Sequence, residues 1–253
     1  MLYVDELKGE RYDIIPPIRM NFVGTLTDFI EVGNEFLTYF KKFADLKSSD
    51  KVLDIGSGIG RMAIPLTKYL NSSGEYQGFD IVSHGVKWCK NRITPKYPNF
   101  HFQLANIYNQ AYLPSGKVLA ENFRFPFENN HFNLAYATSV FTHLMKPATI
   151  NYLKETHRVL TPGGRAILTF FLLNNKSRNN MVEGKSSVDF KFQVDGIYTN
   201  NLENPEWAVA YDEEEIHKLV KEIGFEILPT QYGKWDGRSD GLSYQDLLIL
   251  QKK

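Results

Sequence analysis

The feature that most constrains the fold is a run of alternating glycines, Gly56-Ser-Gly58-Ile-Gly60, directly after the apolar segment Lys51–Ile55. Glycines at such a point let the backbone turn sharply and let a ligand approach main-chain atoms, because no side chain intervenes. Open α/β sheets bind their ligands at the carboxyl ends of their strands, where turns of this kind lie. The run therefore predicts a strand-to-helix turn and a binding site at that turn.

Strand-like and helix-like segments alternate along most of the chain, the order that yields a parallel sheet covered by helices on both faces. The predicted strands are Lys51–Ile55, Glu75–Phe79, Phe100–Leu104, His131–Ala137, Arg165–Leu172, Phe225–Pro229 and Tyr244–Leu250. The predicted helices are Phe29–Leu46, Ile59–Leu70, His84–Ile93, Pro147–Leu160 and one from Asp212 to Gly224, while 161–164 is predicted to be a turn. The fold class is thus predicted as α/β, a Rossmann-like doubly wound, mostly parallel seven-stranded sheet with an antiparallel hairpin at one edge.

The whole chain, 1–253, is predicted to be a single domain. Residues 1–47 form a helical cover in this scheme, 48–172 the ligand-binding core, 173–210 an insertion, and 211–253 the last helix and hairpin. The insertion is long for a connection and contains four large aromatic residues, so it is either an ordered lid or a packed surface excursion.

Composition narrows the range of partners and compartments. Lys plus Arg equals Asp plus Glu, at 29 each, so a polyanion such as nucleic acid is a disfavoured partner. Cys89 is the only cysteine, which rules out an intrachain disulfide and fits a reducing compartment. No stretch approaches the ~20 apolar residues of a membrane span, and no His, Cys or acidic cluster has metal-ligand spacing. The chain is expected to be cytoplasmic and to hold no metal.

Two aspartates indicate the chemistry of the ligand. Asp54 lies two residues before the first glycine, where it would repel a pyrophosphate but accept a hydrogen bond from an ammonium group. Dinucleotide binders also need a glycine where this chain has Arg61. Asp80 ends the second predicted strand, at the offset from which an acid accepts both hydroxyls of a ribose. Capping of the following helix is the alternative for Asp80, and both roles can hold together.

At four places in the right order, the sequence resembles the class I S-adenosylmethionine-dependent methyltransferases. Asp54–Gly60 is similar to their first motif and Asp80 falls at their second, while 125–134 and 153–165 resemble the stretches around their fourth strand and the following helix. The resemblance covers about residues 48–172. It implies S-adenosyl-L-methionine as the cofactor, with its methionine part held by the loop and its ribose by Asp80. The cofactor-binding residues it implies are Asp54, Gly56, Ser57, Gly58, Gly60, Asp80, Ile81 and Ser139, together with those of the adenine site.

The adenine site is where the sequence departs from the family. The acid expected after the third strand is replaced by Asn106, and an insertion, Tyr108–Val118, follows. Counting back from Pro126 places Glu121 at the acidic position, with Asn122 beside it. We therefore expect adenine to be bound by Glu121 with Asn122, or by Asn106, unless these polar residues only cap a surface loop.

Methyl transfer is an in-line displacement that needs alignment and exclusion of water more than a fixed catalytic group. The segment 137–143, after the fourth strand, lacks both the Asn-Pro-Pro-Tyr signature of nucleic-acid N-methylation and the thiolate that cytosine-carbon methylation requires. These absences leave O-, N- or C-methylation of a small molecule as the candidate reactions, and we predict an O or N nucleophile. His143 is the candidate general base, unless it only bonds to the backbone at a helix start.

Two alternatives of other classes remain open. One is a non-catalytic S-adenosylmethionine-binding module, and the other is a nicotinamide-dependent oxidoreductase, against which the Arg61 spacing argues. The outer loops, 16–22 and 232–238, combine aromatic and cationic residues. They either form walls of the acceptor pocket or are ordinary packed loops.

Overall fold

A computed structural model of the protein describes residues 14–21, 26–110 and 112–253. Of the first candidate pocket loop, Phe22 lies outside the described residues. The helices are α1 (Leu26–Phe43), α2 (Ala63–Thr67), α3 (Ser83–Arg92), α4 (Lys146–Val159), α5 (Asn175–Val182) and α6 (Glu213–Ile223). The strands are β1 (Lys51–Ile55), β2 (Glu75–Asp80), β3 (Phe100–Leu104), β4 (Phe132–Ala137), β5 (Leu160–Phe170), β6 (Leu172–Leu173), β7 (Phe192–Val194), β8 (Ile197–Thr199), β9 (Val209–Asp212), β10 (Phe225–Ile227) and β11 (Asp246–Lys252).

The main sheet has seven strands in the order β10-β11-β5-β4-β1-β2-β3. The pairs β1–β2, β2–β3 and β4–β5 are parallel, whereas β11 pairs antiparallel with both β5 and β10. This arrangement confirms the predicted fold class, including the antiparallel edge. No described helix is long and apolar enough to cross a membrane.

The chain divides into two compact units after Asn106. In the first, β1, β2 and β3 pair in register, and the rings of Tyr76 and Phe100 stack with centroids 4.9 Å apart. The second unit begins at Ile107 and contains β4–β11. That the chain is a single domain stays a prediction.

Several predicted boundaries were wrong by a few residues, and the two largest differences have local reasons. The helix predicted over Ile59–Leu70 is only Ala63–Thr67, because Gly60 has a φ of 88° and hydrogen bonds after Thr67 shorten to the i−3 spacing at Lys68 and Tyr69. The turn predicted at 161–164 is instead a bulge within β5. Leu160 pairs with Phe132 and Arg165 with Leu134, so residues 161–164 stand opposite residue 133 alone.

The ends of α6 follow the sequence signals. Asp212 Oδ1 accepts hydrogen bonds from the main-chain N–H groups of Glu214 (3.0 Å) and Glu215 (3.3 Å), and so caps the helix. At the other end, Gly224 has a φ of 111°, the left-handed conformation that closes a helix with glycine.

The insertion at 173–210 is ordered and contributes to a second sheet, with the order β6-β9-β8-β7. Phe171, Phe190 and Trp235 pack together beside it, with Phe190 and Trp235 ring centroids 5.5 Å apart. Of the four aromatic residues of the segment, Phe190 is buried in this cluster and Tyr198 packs against it, whereas Phe192 and Trp207 are exposed. Whether the insertion acts as a lid stays a prediction.

A buried carboxylate, Asp246, ties the loop before β11 to the strand β6. Asp246 Oδ2 accepts from the N–H of Leu172 (2.8 Å) and from Nε1 of Trp235 (2.8 Å), while Oδ1 accepts from the N–H of Gly233 (2.7 Å). Trp235 is fully buried, so it forms no wall of an open pocket. For this part of the loop 232–238, the alternative of ordinary packing is the one the structure supports.

Asp246 gives the stability of the fold a predicted pH dependence. Burial raises the pKa of Asp246 from 3.8 to about 6, although three N–H donors and Arg238 oppose the shift. The folded state therefore binds the proton more tightly than the unfolded state, and this group lowers the free energy of unfolding as the pH rises from about 4 to 6. We expect Asp246→Asn to remove that component, so that its unfolding free energy, measured by urea denaturation, declines less than that of the wild type between pH 4 and pH 6. The exposed Glu226→Gln serves as the control, and parallel curves for Asp246→Asn and the wild type would contradict the assignment.

Candidate functional site

The glycine loop turns as its sequence predicts. Gly56, Gly58 and Gly60 have φ values of 81°, 54° and 88°, a region that residues with a Cβ rarely adopt. The N–H groups of Gly56 (2.9 Å) and Ser57 (3.0 Å) both donate to the carbonyl oxygen of Phe79, which anchors the loop to the end of β2. The loop is therefore a backbone cradle fixed to two neighbouring parallel strands.

Close packing holds α3 against this loop. A Cβ placed on Gly85 would lie 2.5 Å from the carbonyl oxygen of Gly58, so only glycine fits at that point of α3. A Cβ on Gly60 would lie 3.0 Å from Sγ of Cys89, which is fully buried and whose pKa burial raises above the usual range of a thiol. The main chain of the loop thus has little room to shift toward the helix.

Asp80 connects the loop to the turn before α3. Its Oδ2 accepts from the N–H of Gly58 and its Oδ1 from the N–H of Val82, each at 2.7 Å. The helix cap weighed as the alternative for Asp80 is not formed, since the residue before α3 is Val82 and no side chain caps the helix; Asp80 forms an Asx turn with the N–H of Val82 instead. Burial raises the pKa of Asp80, while the N–H donors pull it down. The two carboxylate oxygens together have about four acceptor sites, so the carboxylate keeps acceptor capacity for a ribose hydroxyl beside its main-chain donors.

The other two polar residues of the loop are buried. Asp54 is 1 % exposed, and its Oδ2 accepts from the hydroxyl of Tyr76 at 2.7 Å. Ser57 is 5 % exposed, and its Oγ has no hydrogen-bond partner among the described residues. A buried hydroxyl without a partner is costly, and a polar ligand at the loop would remove that cost.

The candidate adenine residues lie in different parts of the chain. Asn106 is exposed two residues after the end of β3. Glu121 and Asn122 are exposed on a 3₁₀ turn, 120–122. Asn151 on α4 holds that turn, since its Nδ2 donates to the carbonyl oxygens of Ala120 (2.9 Å) and Phe123 (2.8 Å). This support for the turn was not predicted, because a contact across about 30 residues leaves no local pattern in the sequence.

The segment after β4 carries Ser139 in a strained conformation. Ser139 has a φ of 57°, uncommon for a residue with a Cβ, and its N–H donates to Oγ1 of Thr169 at 2.7 Å. Its hydroxyl donates to Oε1 of Gln245 at 3.1 Å. Observed strain of this kind is found most often at functional sites.

His143 ends a 3₁₀ turn, 141–143, and is half-buried. Its Nδ1 lies 2.9 Å from the carbonyl oxygen of Glu206. A carbonyl oxygen can only accept, so Nδ1 must carry the proton, and the neutral ring then has its lone pair on Nε2. The backbone bond weighed as the alternative for His143 is therefore present, and it leaves the other nitrogen in the form a base requires.

Glu206 is the residue that sequence reasoning missed at this site. It belongs to a 3₁₀ turn, 205–207, in the insertion. Its carbonyl oxygen contacts His143, which lies 63 residues earlier in the chain. Its contribution is a main-chain carbonyl, which any residue type supplies, so no side-chain pattern marks it. Among the described residues, no group of three or more His, Cys, Asp or Glu side chains is placed to hold a metal ion.

Comparisons with known proteins agree with this geometry. The family model described as "Methyltransferase domain" matches residues 52–164. The ubiquinone/menaquinone biosynthesis C-methyltransferase UbiE of Neisseria meningitidis serogroup C is 33% identical over 174 residues, which are 66% of this chain and 62% of that protein. The chain covers 65% of the length of the first curated relatives it matches.

Two solved structures share the fold. The PH0226 protein of Pyrococcus horikoshii OT3 has a TM-score of 0.62 at 16% identity, over 96% of this chain and 99% of that one. A SAM-dependent methyltransferase of Methanosarcina mazei has a TM-score of 0.54 at 21% identity, over 85% and 96%. The family model over residues 52–164 and the shared fold confirm the resemblance of the sequence to the class I S-adenosylmethionine-dependent methyltransferases.

Asp80 gives the first test of the site. We expect Asp80→Asn to weaken the binding of S-adenosylhomocysteine about 10- to 100-fold, because the amide loses the charge and one acceptor oxygen facing the ribose hydroxyls. Isothermal titration calorimetry measures the affinity, and thermal unfolding checks that the variant folds. Lys87→Ala, an exposed change on the same helix as Gly85, should bind like the wild type. Equal affinity of a folded Asp80→Asn protein would assign this aspartate to loop structure alone.

The adenine alternatives can be separated by a second pair of variants. We expect Glu121→Ala to weaken S-adenosylhomocysteine about tenfold, the cost of one charge-assisted hydrogen bond, and Asn106→Ala to change it less than twofold. Asn151→Ala should also weaken the binding of S-adenosylhomocysteine, since it removes the two hydrogen bonds that hold the 120–122 turn. The opposite ranking of Glu121→Ala and Asn106→Ala in the same calorimetric assay would place adenine at Asn106.

Proposed function

We propose that this protein transfers a methyl group from S-adenosyl-L-methionine to an oxygen or nitrogen atom of a small molecule, with His143 as the general base. The observation that carries the proposal is the glycine loop, which has three left-handed glycines and in which the N–H of Gly58 donates to the acid at the end of β2. The match of residues 52–164 to the methyltransferase domain supports the reaction, and the alternating glycines with Arg61 argue against a dinucleotide in the same place.

The residues present fit the cofactor. The loop offers main-chain atoms without side-chain cover, Ser57 offers a buried hydroxyl in need of a partner, and Asp80 retains acceptor capacity for a ribose. We assign the methionine part to the loop of Asp54–Gly60, the ribose to Asp80 with Ile81, and the adenine to Glu121 with Asn122. Ser139 is assigned to the same cofactor site. When bound, the cofactor supplies a methyl group on a positively charged sulfur, which is already a strong electrophile.

The remaining task of the protein is to remove the proton from the acceptor group that receives the methyl. The N–H on Nδ1 of His143 donates to the carbonyl oxygen of Glu206, so Nε2 accepts the proton of an acceptor hydroxyl. The ionised oxygen would then be the nucleophile for the methyl group that the cofactor, when bound, would supply. The Glu206 carbonyl also stabilises the imidazolium formed in this step, as an oriented acceptor does in other histidine bases.

A carbon acceptor is the second candidate. A relative that is 33% identical is named a C-methyltransferase of ubiquinone and menaquinone biosynthesis. Removal of a phenolic proton by the same base would raise the electron density of the ring carbons, so the chemistry at His143 serves carbon and oxygen acceptors alike. Mass-spectrometric fragmentation of the product separates the two, because a methyl group on carbon stays with the ring.

The proposal includes a small-molecule acceptor, no nucleic-acid partner, and the cytoplasm as location. Equal numbers of acidic and basic residues support the first two. A single buried cysteine, suited to a reducing compartment, supports the third.

Turnover by a His143 variant tests the mechanism. With a panel of phenols, amines and acids and methyl-labelled S-adenosylmethionine, we expect His143→Gln to lower kcat for hydroxyl acceptors about 100-fold, the usual contribution of a general base. The affinity for S-adenosylhomocysteine should stay unchanged. His101→Gln, an exposed histidine on β3, is the matched control.

The outcomes of this experiment are distinct. A wild-type protein that binds S-adenosylhomocysteine but labels no acceptor would favour the non-catalytic binding module. A protein that binds no S-adenosylhomocysteine would overturn the proposal as a whole. Full activity of His143→Gln would overturn the role of His143 as general base and leave the rest of the proposal in place.

A further inference from the structure

Three large aromatic side chains in the second unit are exposed rather than packed. Trp207 is 66 % exposed, Tyr112 59 % and Tyr108 43 %. Their sequence surroundings, 107–113 and 202–209, contain two acidic residues and no Lys or Arg. Exposed aromatic surface of this size is unfavourable in water and is typical of a place where a ligand or partner is bound.

These aromatic residues belong to two separate segments that one side chain connects. The Oδ1 atom of Asn109 accepts from the N–H of Tyr112 at 2.9 Å, and its Nδ2 donates to Oε2 of Glu206 at 3.4 Å. Tyr108 precedes Asn109 in the chain, and Trp207 follows Glu206. The insertion 108–118 and the turn 205–207 therefore present their aromatic residues around a single hydrogen-bonded centre.

That centre is also the one that orients the base. The carbonyl oxygen of Glu206 accepts from Nδ1 of His143, so Trp207 is the next residue after the one that fixes the imidazole. A molecule held on Trp207 is thereby brought to the neighbourhood of His143. The aromatic surface and the base are parts of one local structure.

The charges nearby restrict the ligand further. Glu206 is half-buried, and burial raises the pKa of its carboxyl group. When ionised, it repels an anion, and neither 107–113 nor 202–209 contains a Lys or Arg that would attract one. A flat, uncharged ring gains most from stacking on these side chains.

We propose that the methyl acceptor is an uncharged aromatic compound with a hydroxyl group, whose ring binds against Trp207, Tyr112 and Tyr108. This inference rests on the proposed function, since it names the substrate class of the same site. The hydroxyl of such a compound is the group that His143 deprotonates. A phosphate or carboxylate on the ring would weaken binding to this surface, because ionised Glu206 repels it.

The binding of simple probes tests the proposal without turnover. The probes are 2-naphthol, which is neutral at pH 7, its saturated counterpart decahydro-2-naphthol, and the anion 2-naphthoate, each titrated calorimetrically into the full chain. We expect 2-naphthol to bind about tenfold more tightly than either of the others. Equal binding of 2-naphthol and 2-naphthoate would overturn the inference.

Variants locate the binding. Trp207→Leu should weaken 2-naphthol about tenfold, Trp207→Phe should restore most of the affinity because it keeps a ring, and Tyr112→Leu should weaken it several-fold. Val182→Ala, an 88 % exposed apolar position on α5, is the control and should bind like the wild type. Thermal unfolding confirms that each variant folds. If Trp207→Leu and Tyr112→Leu both bind 2-naphthol as the wild type does, the aromatic surface is not the acceptor site.

Failure of this inference and failure of the proposed function leave different traces. Methyl transfer that depends on His143 but not on Trp207 would overturn the aromatic acceptor site and keep the methyltransferase. Binding of 2-naphthol through Trp207 by a protein that binds no S-adenosylhomocysteine would overturn the methyltransferase proposal and, with it, the role of the ring as an acceptor.

Discussion

The hydrogen bond between the carboxylate of Asp80 and the N–H of Gly58 is the interaction on which the candidate cofactor site depends. It joins the end of β2 to the middle of a loop that leaves β1, while the carbonyl of Phe79 takes the two preceding N–H groups of that loop. Three glycines in left-handed conformations have no preferred shape of their own, because glycine loses more conformational freedom on folding than any other residue. The carboxylate and the carbonyl supply that shape. The same aspartate that would recognise a ribose is therefore part of what builds its binding surface.

The proposed base depends on the insertion 173–210 rather than on the motifs of the core, 48–172. His143 follows β4, yet the proton on its Nδ1 is held by a carbonyl of the turn 205–207. That turn lies between the short strands β8 and β9 of the second sheet. In the proposed mechanism, the small second sheet orients the base and presents Trp207 beside it. Cofactor recognition would then belong to the common fold, and acceptor recognition to the appended part.

Much of the fold was predictable because its signals are local. An apolar run, a glycine turn and a capping Asp212 each act over a few residues, so β1, β3 and the ends of α6 agree with the sequence to within a residue. The glycine loop and Asp80 were predictable for the same reason. Long-range contacts were not, since the link between His143 and Glu206 spans 63 residues and that of Asn109 with Glu206 spans 97. The bulge at 161–164 was missed because Pro-Gly-Gly marks a turn equally well when the strand resumes its pairing afterwards.

The packing of Cys89 under Gly60 has a practical consequence for anyone who wishes to follow this molecule spectroscopically. The chain contains a single sulfhydryl, it is fully buried, and burial keeps it protonated at neutral pH. Alkylating reagents should therefore leave the folded native protein almost unmodified. The wild type is in effect a cysteine-free background, into which one new cysteine at a surface site can be introduced and labelled with a fluorophore or spin probe without first removing any other.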